Sequence, residues 1–321
     1  MPSLKEIKNR IASVSSTRKI TSAMKMVASS KLHHAQVMIE NMLPYETMME
    51  NILKTFLASD VDAASIFTKK REVKRVALVV YASNSSLCGG FNGNILKMMQ
   101  QVVGEYRHLG EENIIIYPIG RKVAEKVNKL GLHSAGDFTA LADKPNVSGC
   151  IDIARELGKQ FMAGEIDKVE LIYHHFKSAG SQILTRKTFL PIDITAELKR
   201  DNERDLKTTV VTKATQEYLR KKGEENNERD ISAKPLNDNF IVEPDINTVL
   251  ERLIPKYAHL MLYTALLDSN ASEHAARMVA MQTATDNADE LLRQLNLQYN
   301  KSRQQAITNE LLDIVGGSVN N

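Results

Sequence analysis

From Ile246 to Val315 the chain carries its longest unbroken periodic pattern. Alternating steps of three and four from Leu250 land on Leu253, Tyr257, Leu260, Thr264, Leu267, Ala271, His274, Met278, Met281, Thr285, Ala288, Leu292, Leu295, Tyr299, Ser302 and Ala306. This is a heptad seam. A strict seven-residue repeat falls short of two full helical turns, so such a helix keeps its stripe inward only by coiling left-handedly around a partner. At 1.5 Å per residue it would be roughly 100 Å long, more than a globular core needs.

The partner is expected at the other end of the chain. Ser3-Leu4-Lys5-Glu6 has the pattern of a capping box, so a helix starts at once and no signal or transit peptide is expected. Its apolar stripe reads Leu4, Ile7, Ile11, Val14, Ile20, Met24 and Val27, then shifts phase to Ala28, Leu32, Ala35, Ile39 and Met42, and continues through Tyr45, Met49, Ile52 and Phe56. Pro44 lies inside it and predicts a kink or a break, because proline removes a backbone donor. One long helix enters the middle of the chain and the other leaves it, so helices sharing a seam must be antiparallel. The C-terminal one is longer by roughly 20 Å or more, so its end, with Ile307, Leu311, Leu312, Ile314 and Val315, should project past Met1. Leaving such a tip in water costs about 25 cal/mol per Å². Something outside the chain is expected to surround it.

Between the helices the pattern changes. Strands are predicted over Val73–Ala82, Asn113–Ile119, Val169–Phe176 and Ile183–Pro191, and helices over Asn94–Leu109, Arg121–Leu130 and Val147–Phe161. This alternation predicts a doubly wound, Rossmann-like α/β domain. From Ala196 to Asp238 the chain turns polar and charged, as expected of a solvated excursion. Asp245, after Pro244, is a candidate cap for the long C-terminal helix. The division that follows is a first shaft helix over 1–58, a central α/β domain over 72–242, and a second shaft helix over 245–316.

Composition and motifs narrow the chemistry. Of 321 residues, 43% are hydrophobic and 25% charged, with a net charge of +3, so bulk charge calls for neither nucleic acid nor an anionic membrane. Cys88 and Cys150 stand far apart without metal-ligand or redox spacing, which favours free thiols in a reducing compartment. No apolar run approaches the roughly 20 residues of a membrane span. Gly89-Gly90 follows a strand as a phosphate cradle would, yet it lacks the Lys-Ser/Thr of a P-loop and the dinucleotide spacing. A structural turn and a nucleotide site both remain open there, the first favoured. His33-His34, His174-His175 and His274 have no carboxylate partner at ligand spacing, so packed histidines are expected rather than metal ligands. No catalytic set, cofactor or metal site is expected. The first 39 positions hold seven Lys or Arg against Glu6. That suits a solvated face, an acidic protein surface or nucleic acid, the last disfavoured by the scarcity of interleaved aromatics. Small residues from Ser269 to Ala288 fit either a thin two-helix rod or simple close packing.

Four stretches resemble the gamma subunits of F-type ATP synthases. They are Thr17-Arg18-Lys19-Ile20-Thr21-Ser22-Ala23-Met24-Lys25-Met26-Val27-Ala28, the loop Leu87-Cys88-Gly89-Gly90-Phe91-Asn92, and Ala271-Ser272-Glu273-His274-Ala275-Ala276-Arg277-Met278 with Tyr299-Asn300-Lys301-Ser302-Arg303-Gln304. The resemblance implies a bacterial, non-catalytic rotor shaft, peripheral to the cytoplasmic face of the inner membrane. Its partners would be the alpha and beta subunits, the epsilon subunit and the c-ring, and it would couple proton flow to ATP synthesis while regulating ATPase activity. By matched position, Met24, Arg303, Gln304 and Thr308 would touch beta subunits, and Phe240, Val242 and Glu243 would form the foot on epsilon and the c-ring. The sequence departs from the family in two places. Asn84-Ser85-Ser86 replaces a common Asp-Arg-Gly, removing two charges, and the polar excursion over 196–238 is longer than expected. The cysteine pair of light-regulated chloroplast members is missing as well.

Overall fold

A computed structural model describes residues 3–57, 67, 71–192, 242, 243 and 245–318. The polar stretch over 196–238 and Phe240 lie outside the described residues. Two compact units emerge: residues 1–30 with 277–321, and residues 31–276.

Both long helices form. Helix α1 spans Leu4–Leu57, and Ser3 caps it, its Oγ accepting from the Glu6 amide at 3.2 Å. It runs on through Pro44 without a break, because the missing donor falls on an exposed position while Ile39, Met49 and Leu53 are buried around it. The expected phase shift is also absent. One uninterrupted heptad, Ile7, Ile11, Val14, Arg18, Thr21, Lys25, Ala28, Leu32, Ala35, Ile39, Met42, Glu46, Met49 and Leu53, lies buried or half-buried except at Arg18. Ile20 and Val27, read from hydrophobicity as part of the stripe, are 57% and 58% exposed.

The middle of the chain builds a five-stranded sheet. Its elements are β1 (Val76–Tyr81), α2 (Phe91–Glu105), β2 (Ile114–Ile119), α3 (Arg121–Leu130), β3 (His133–Ser134), α4 (Thr139–Asp143), α5 (Val147–Ala163), β4 (Lys168–Ser178) and β5 (Ser181–Leu190), followed by α6 (Ile246–Ser318). Strand order is β3-β2-β1-β4-β5, parallel except for β5, which pairs antiparallel with β4. β3 and α4 are too short to leave a periodic trace and were not expected.

Period-two alternation divides the sheet into two buried faces. Val76, Leu78, Val80, Ile114, Ile116 and Ile172 pack with Ile95, Met99 and Val102 of α2 and with Val123 and Val127 of α3. On the other face the Tyr117 hydroxyl reaches Gln160 of α5 at 3.4 Å, and the Tyr81 hydroxyl donates to the Leu262 carbonyl of α6 at 3.1 Å. Helices therefore cover both faces, as a doubly wound sheet requires. Gly120 lets β2 turn tightly into α3. Its φ is +110°, and a Cβ there would lie 2.1 Å from the Ala82 carbonyl oxygen, so only glycine fits.

Candidate functional site: the antiparallel helix pair

In the first unit, residues 4–30 of α1 lie against α6 beyond Arg277. Thr21 and Thr285 hydroxyls meet at 2.9 Å, and Arg18 Nη1 donates to Asp289 Oδ1 at 2.6 Å, so the two helices run antiparallel. Ile7, Ala28, Met281, Ala288 and Leu295 are buried along the seam, and no expected α6 seam position from Leu250 to Ala306 is exposed. Small side chains at Ala28 and Ala288 help the backbones approach.

Midway along, this seam is polar. Arg18, Thr21 and Lys25 occupy its α1 side, Arg18 paired with Asp289 and Thr21 with Thr285, while Ile20, Val27 and the 64%-exposed Met26 face outward. Seam phase is set by the apolar residues on either side, Ile7 to Val14 and Ala28 to Ile39, so the local hydrophobic maximum loses. Outward residues on α6 include Val279, Leu291 and Leu297. Around Thr21 the helix pair thus carries polar groups in its seam and apolar ones outside, while the seam on either side is apolar as in an ordinary soluble rod.

The register fixes the tip. With Thr21 facing Thr285, Ser3 falls opposite about Arg303 on α6, since both helices rise 1.5 Å per residue. Gln304–Ser318 therefore extends about 22 Å with no partner helix among the described residues. Ile307, Leu311 and Leu312 are exposed there, the last two at 57% and 63%.

The expected contact residues fall at separate places. Met24 is half-buried on α1, opposite about Gln282, whereas Arg303, Gln304 and Thr308 are exposed about 30–40 Å further along α6. Thr308 donates its hydroxyl to the Gln304 carbonyl at 2.9 Å, a bond within its own helix. In the second unit Val242 is half-buried and Glu243 exposed. Asp245 caps α6 as expected, accepting from the Thr248 amide at 2.9 Å.

Around the Gly89-Gly90 turn the flanking side chains bond to one another. Asn92 Nδ2 donates to Ser83 Oγ at 2.8 Å and to the Ser85 carbonyl at 3.2 Å, and Asn92 Oδ1 accepts from the Ser83 amide at 3.1 Å. Cys88 is buried beside them, with Asn92 Nδ2 3.1 Å from its sulfur. These bonds draw the loop onto its own residues at the carboxyl end of β1, where a doubly wound fold would place a phosphate. Asn84 is a structural link: its amide donates to the Thr139 carbonyl, and its Oδ1 accepts from the Arg121 amide, each at 2.8 Å. An uncharged amide can do both at once, which the Asp of the family pattern could not.

The histidines are packed or surface residues. His33 and His34 are exposed, while His174 and His274 are buried. His174 stacks on Phe91 at 4.5 Å, and burial pushes its pKa down from 6.5 to about 4. His175 Nδ1 donates to Asp268 Oδ2 at 2.7 Å. Sequence reading missed a buried cluster around Glu170. Arg186 grips that carboxylate at 2.8 and 3.1 Å, Lys168 lies at 2.7 Å, and the Tyr106 hydroxyl donates at 3.0 Å. Burial alone would raise the Glu170 pKa; the two cations overcome it and hold the carboxyl ionised. Only the spacing of Lys168, Glu170 and Arg186 across a hairpin could have signalled it. A cleft of about 740 Å³ opens between β2, the segment after β3 and α5, lined by Tyr117, Phe138, Leu141 and Ile153 with Asp137, Asp152 and Glu156. No group of three His, Cys, Asp or Glu among the described residues could hold a metal ion.

Comparison with known proteins agrees with this architecture. A family model described as ATP synthase matches residues 3–319. The ATP synthase gamma chain of Phocaeicola vulgatus is 53% identical over 319 residues, covering 99% of this chain and 100% of the relative. That of Bacteroides thetaiotaomicron is 52% identical over the same length, with the same coverage. The long polar stretch is therefore no oddity of this chain, since relatives of equal length align throughout. Among solved structures, a chain of the Euglena gracilis mitochondrial ATP synthase OSCP/F1/c-ring structure aligns with a TM-score of 0.59 at 19% identity, covering 98% of this chain and 93% of that one. That likeness supports the fold: two long terminal helices around a mixed, Rossmann-like sheet. This chain belongs to the ATP synthase gamma chain family.

Proposed function

We propose that this chain is the central-stalk rotor subunit of a proton-translocating F-type ATP synthase, making no covalent chemistry of its own. Its helix pair turns inside a ring of alternating alpha and beta subunits and biases their nucleotide sites by differential contact with each conformation. Shaft helices over 1–58 and 245–316 flank the central domain over 72–242. Met24, Arg303, Gln304 and Thr308 meet beta subunits, and Phe240, Val242 and Glu243 form the foot on epsilon and the c-ring. No helix among the described residues is long and apolar enough to cross a membrane. Attachment to the cytoplasmic face of the inner membrane therefore comes through the foot.

The observation that supports this reading most is the outward-facing apolar tip at Ile307, Leu311 and Leu312. A sleeve of other subunits removes its cost in water. The bonds that tie Ser83, Ser85 and Asn92 to one another around the Gly89-Gly90 turn weigh against the alternative of a nucleotide-binding module, for which calorimetry on the isolated chain is expected to detect no nucleotide.

Co-purification with alpha and beta subunits, followed by an ATPase assay with and without this chain, tests the proposal. A defined complex whose turnover depends on the chain is expected. A soluble chain that ignores those subunits would overturn it. Within the complex, Met24→Lys puts a charge into a tight interface and should lower ATP-driven proton pumping several-fold while assembly persists; normal pumping would remove Met24 from the contact set.

A further inference from the structure

Within the second unit, α6 is fastened to the sheet domain by four polar ties on three successive turns. Tyr81 at the end of β1 donates its hydroxyl to the Leu262 carbonyl at 3.1 Å. His175 of β4 donates to Asp268 at 2.7 Å, and Asp268 is only 2% exposed. Asn270 Nδ2 donates to the Ala142 carbonyl at 3.1 Å, just inside α4. Ser272, fully buried, donates its hydroxyl to the His174 carbonyl at 3.2 Å. The ties reach three separate parts of the sheet domain: the end of β1, α4, and the middle of β4.

Apolar packing around them, from Leu260, Met261, Ala265, Leu266 and Ala271, holds the helix close. Burial and dispersion are non-directional, so they resist separation far better than they resist sliding or turning of a helix about its own axis. Hydrogen bonds are directional and fail within a few tenths of an ångström or a few tens of degrees. Four of them, aimed at separate anchor points, add a directional resistance to rotation of α6 to the steric one of the packed side chains.

We propose that Tyr81, His175, Asp268, Asn270 and Ser272 are positioning residues that key α6 to the sheet domain, so that rotation imposed on the domain turns the helix without slip. This rests on the rotor reading above. The role of the five is to keep the angle of the shaft helix tied to the angle of the domain.

The test uses the complete, membrane-reconstituted ATP synthase with two sets of variants. Tyr81→Phe with Ser272→Ala removes two donors at almost constant volume, and His175→Phe with Asp268→Leu replaces the remaining buried pair by apolar groups. ATP hydrolysis, ATP-driven proton pumping and thermal stability are read on the same preparations. The expected result is a pumping-to-hydrolysis ratio lowered at least threefold in the second set, and by a smaller factor in the first, with hydrolysis and subunit stoichiometry retained. A purely structural role would lower the melting temperature and the yield of complex while leaving that ratio unchanged, and an unchanged ratio overturns the proposal. Should the second set fail to fold, the near-isosteric first set decides alone. Failure of the wild-type chain to enter the complex would instead overturn the rotor reading.

Discussion

The two compact units are stabilised in opposite ways. Residues 31–276 enclose a core in which Val76, Leu78, Ile95, Met99, Ile114 and Val123 are wholly buried, and even the Glu170 charge is matched by Arg186 and Lys168. Residues 1–30 with 277–321 place Thr21, Lys25 and Thr285 in their seam and leave Ile20, Met26, Val27, Leu311 and Leu312 in solvent. Large core substitutions are costly because the packed interior relaxes poorly. A two-helix seam with polar centres has little to lose on its own. One unit carries its stability inside; the other is completed by what surrounds it.

If that contrast holds, the largest effect is expected at Gly120. Gly120→Ala drives a methyl into the Ala82 carbonyl at a positive φ, and should cost at least about 3 kcal/mol, read by urea denaturation of the full chain. A loss below 1 kcal/mol would mean the β2–α3 turn is far softer than its contacts imply.

Second comes pH. His174 is depressed to about 4 in the fold against 6.5 when unfolded, so below pH 6.5 the unfolded chain binds the extra proton. Stability should fall as pH drops from about 6.5 to 4, by roughly 2–3 kcal/mol from this residue. His174→Phe keeps the ring against Phe91 and removes the titration, so its stability should depend less on pH over that window. Equal pH profiles for the two chains would remove His174 from the account.

In the helix pair the effects shrink. Thr21→Val should cost about 1 kcal/mol or less, because the remaining Thr285 hydroxyl still donates to the Met281 carbonyl at 2.8 Å, and adding Thr285→Val should change that cost little. Native-state hydrogen exchange across residues 15–25 reads both. The Arg18–Asp289 pair, with side chains 45% and 51% exposed, should be worth under about 1 kcal/mol and fade with salt.

Smallest of all is the tip. Leu311→Ser with Leu312→Ser should change the stability of the free chain by less than about 0.5 kcal/mol, because both side chains are already in water. The same pair should weaken association with the alpha and beta subunits at least about tenfold, measured by titration of ATPase activity. A destabilised free chain with unchanged association would invert the contrast between the units.

Much of this was legible from residues alone, where a long repeat averages over local detail. Every α6 position read as seam from Leu250 to Ala306 is buried or half-buried, the caps at Ser3 and Asp245 form, and four of the five strands lie where the apolar runs put them. Local signals fared worse. Two-residue β3 and five-residue α4 are too short to show a period. At Ile20 and Val27 the stripe followed hydrophobicity, and there it was the wrong guide, because both side chains face outward.

By itself, then, the sequence determined the kinds of element, their order, the antiparallel sense of the two long helices and the excess length of the second, because each follows from periodicity summed over many residues. Only the tertiary structure decided which face of α1 enters the seam, that Asn92 and Ser83 close the glycine loop on itself, that Glu170 is buried between two cations, and that α6 is tied to the sheet through Tyr81, His175, Asn270 and Ser272. Those outcomes depend on single long-range contacts. A contact between residues 93 or 181 positions apart leaves no periodic trace in the chain that makes it.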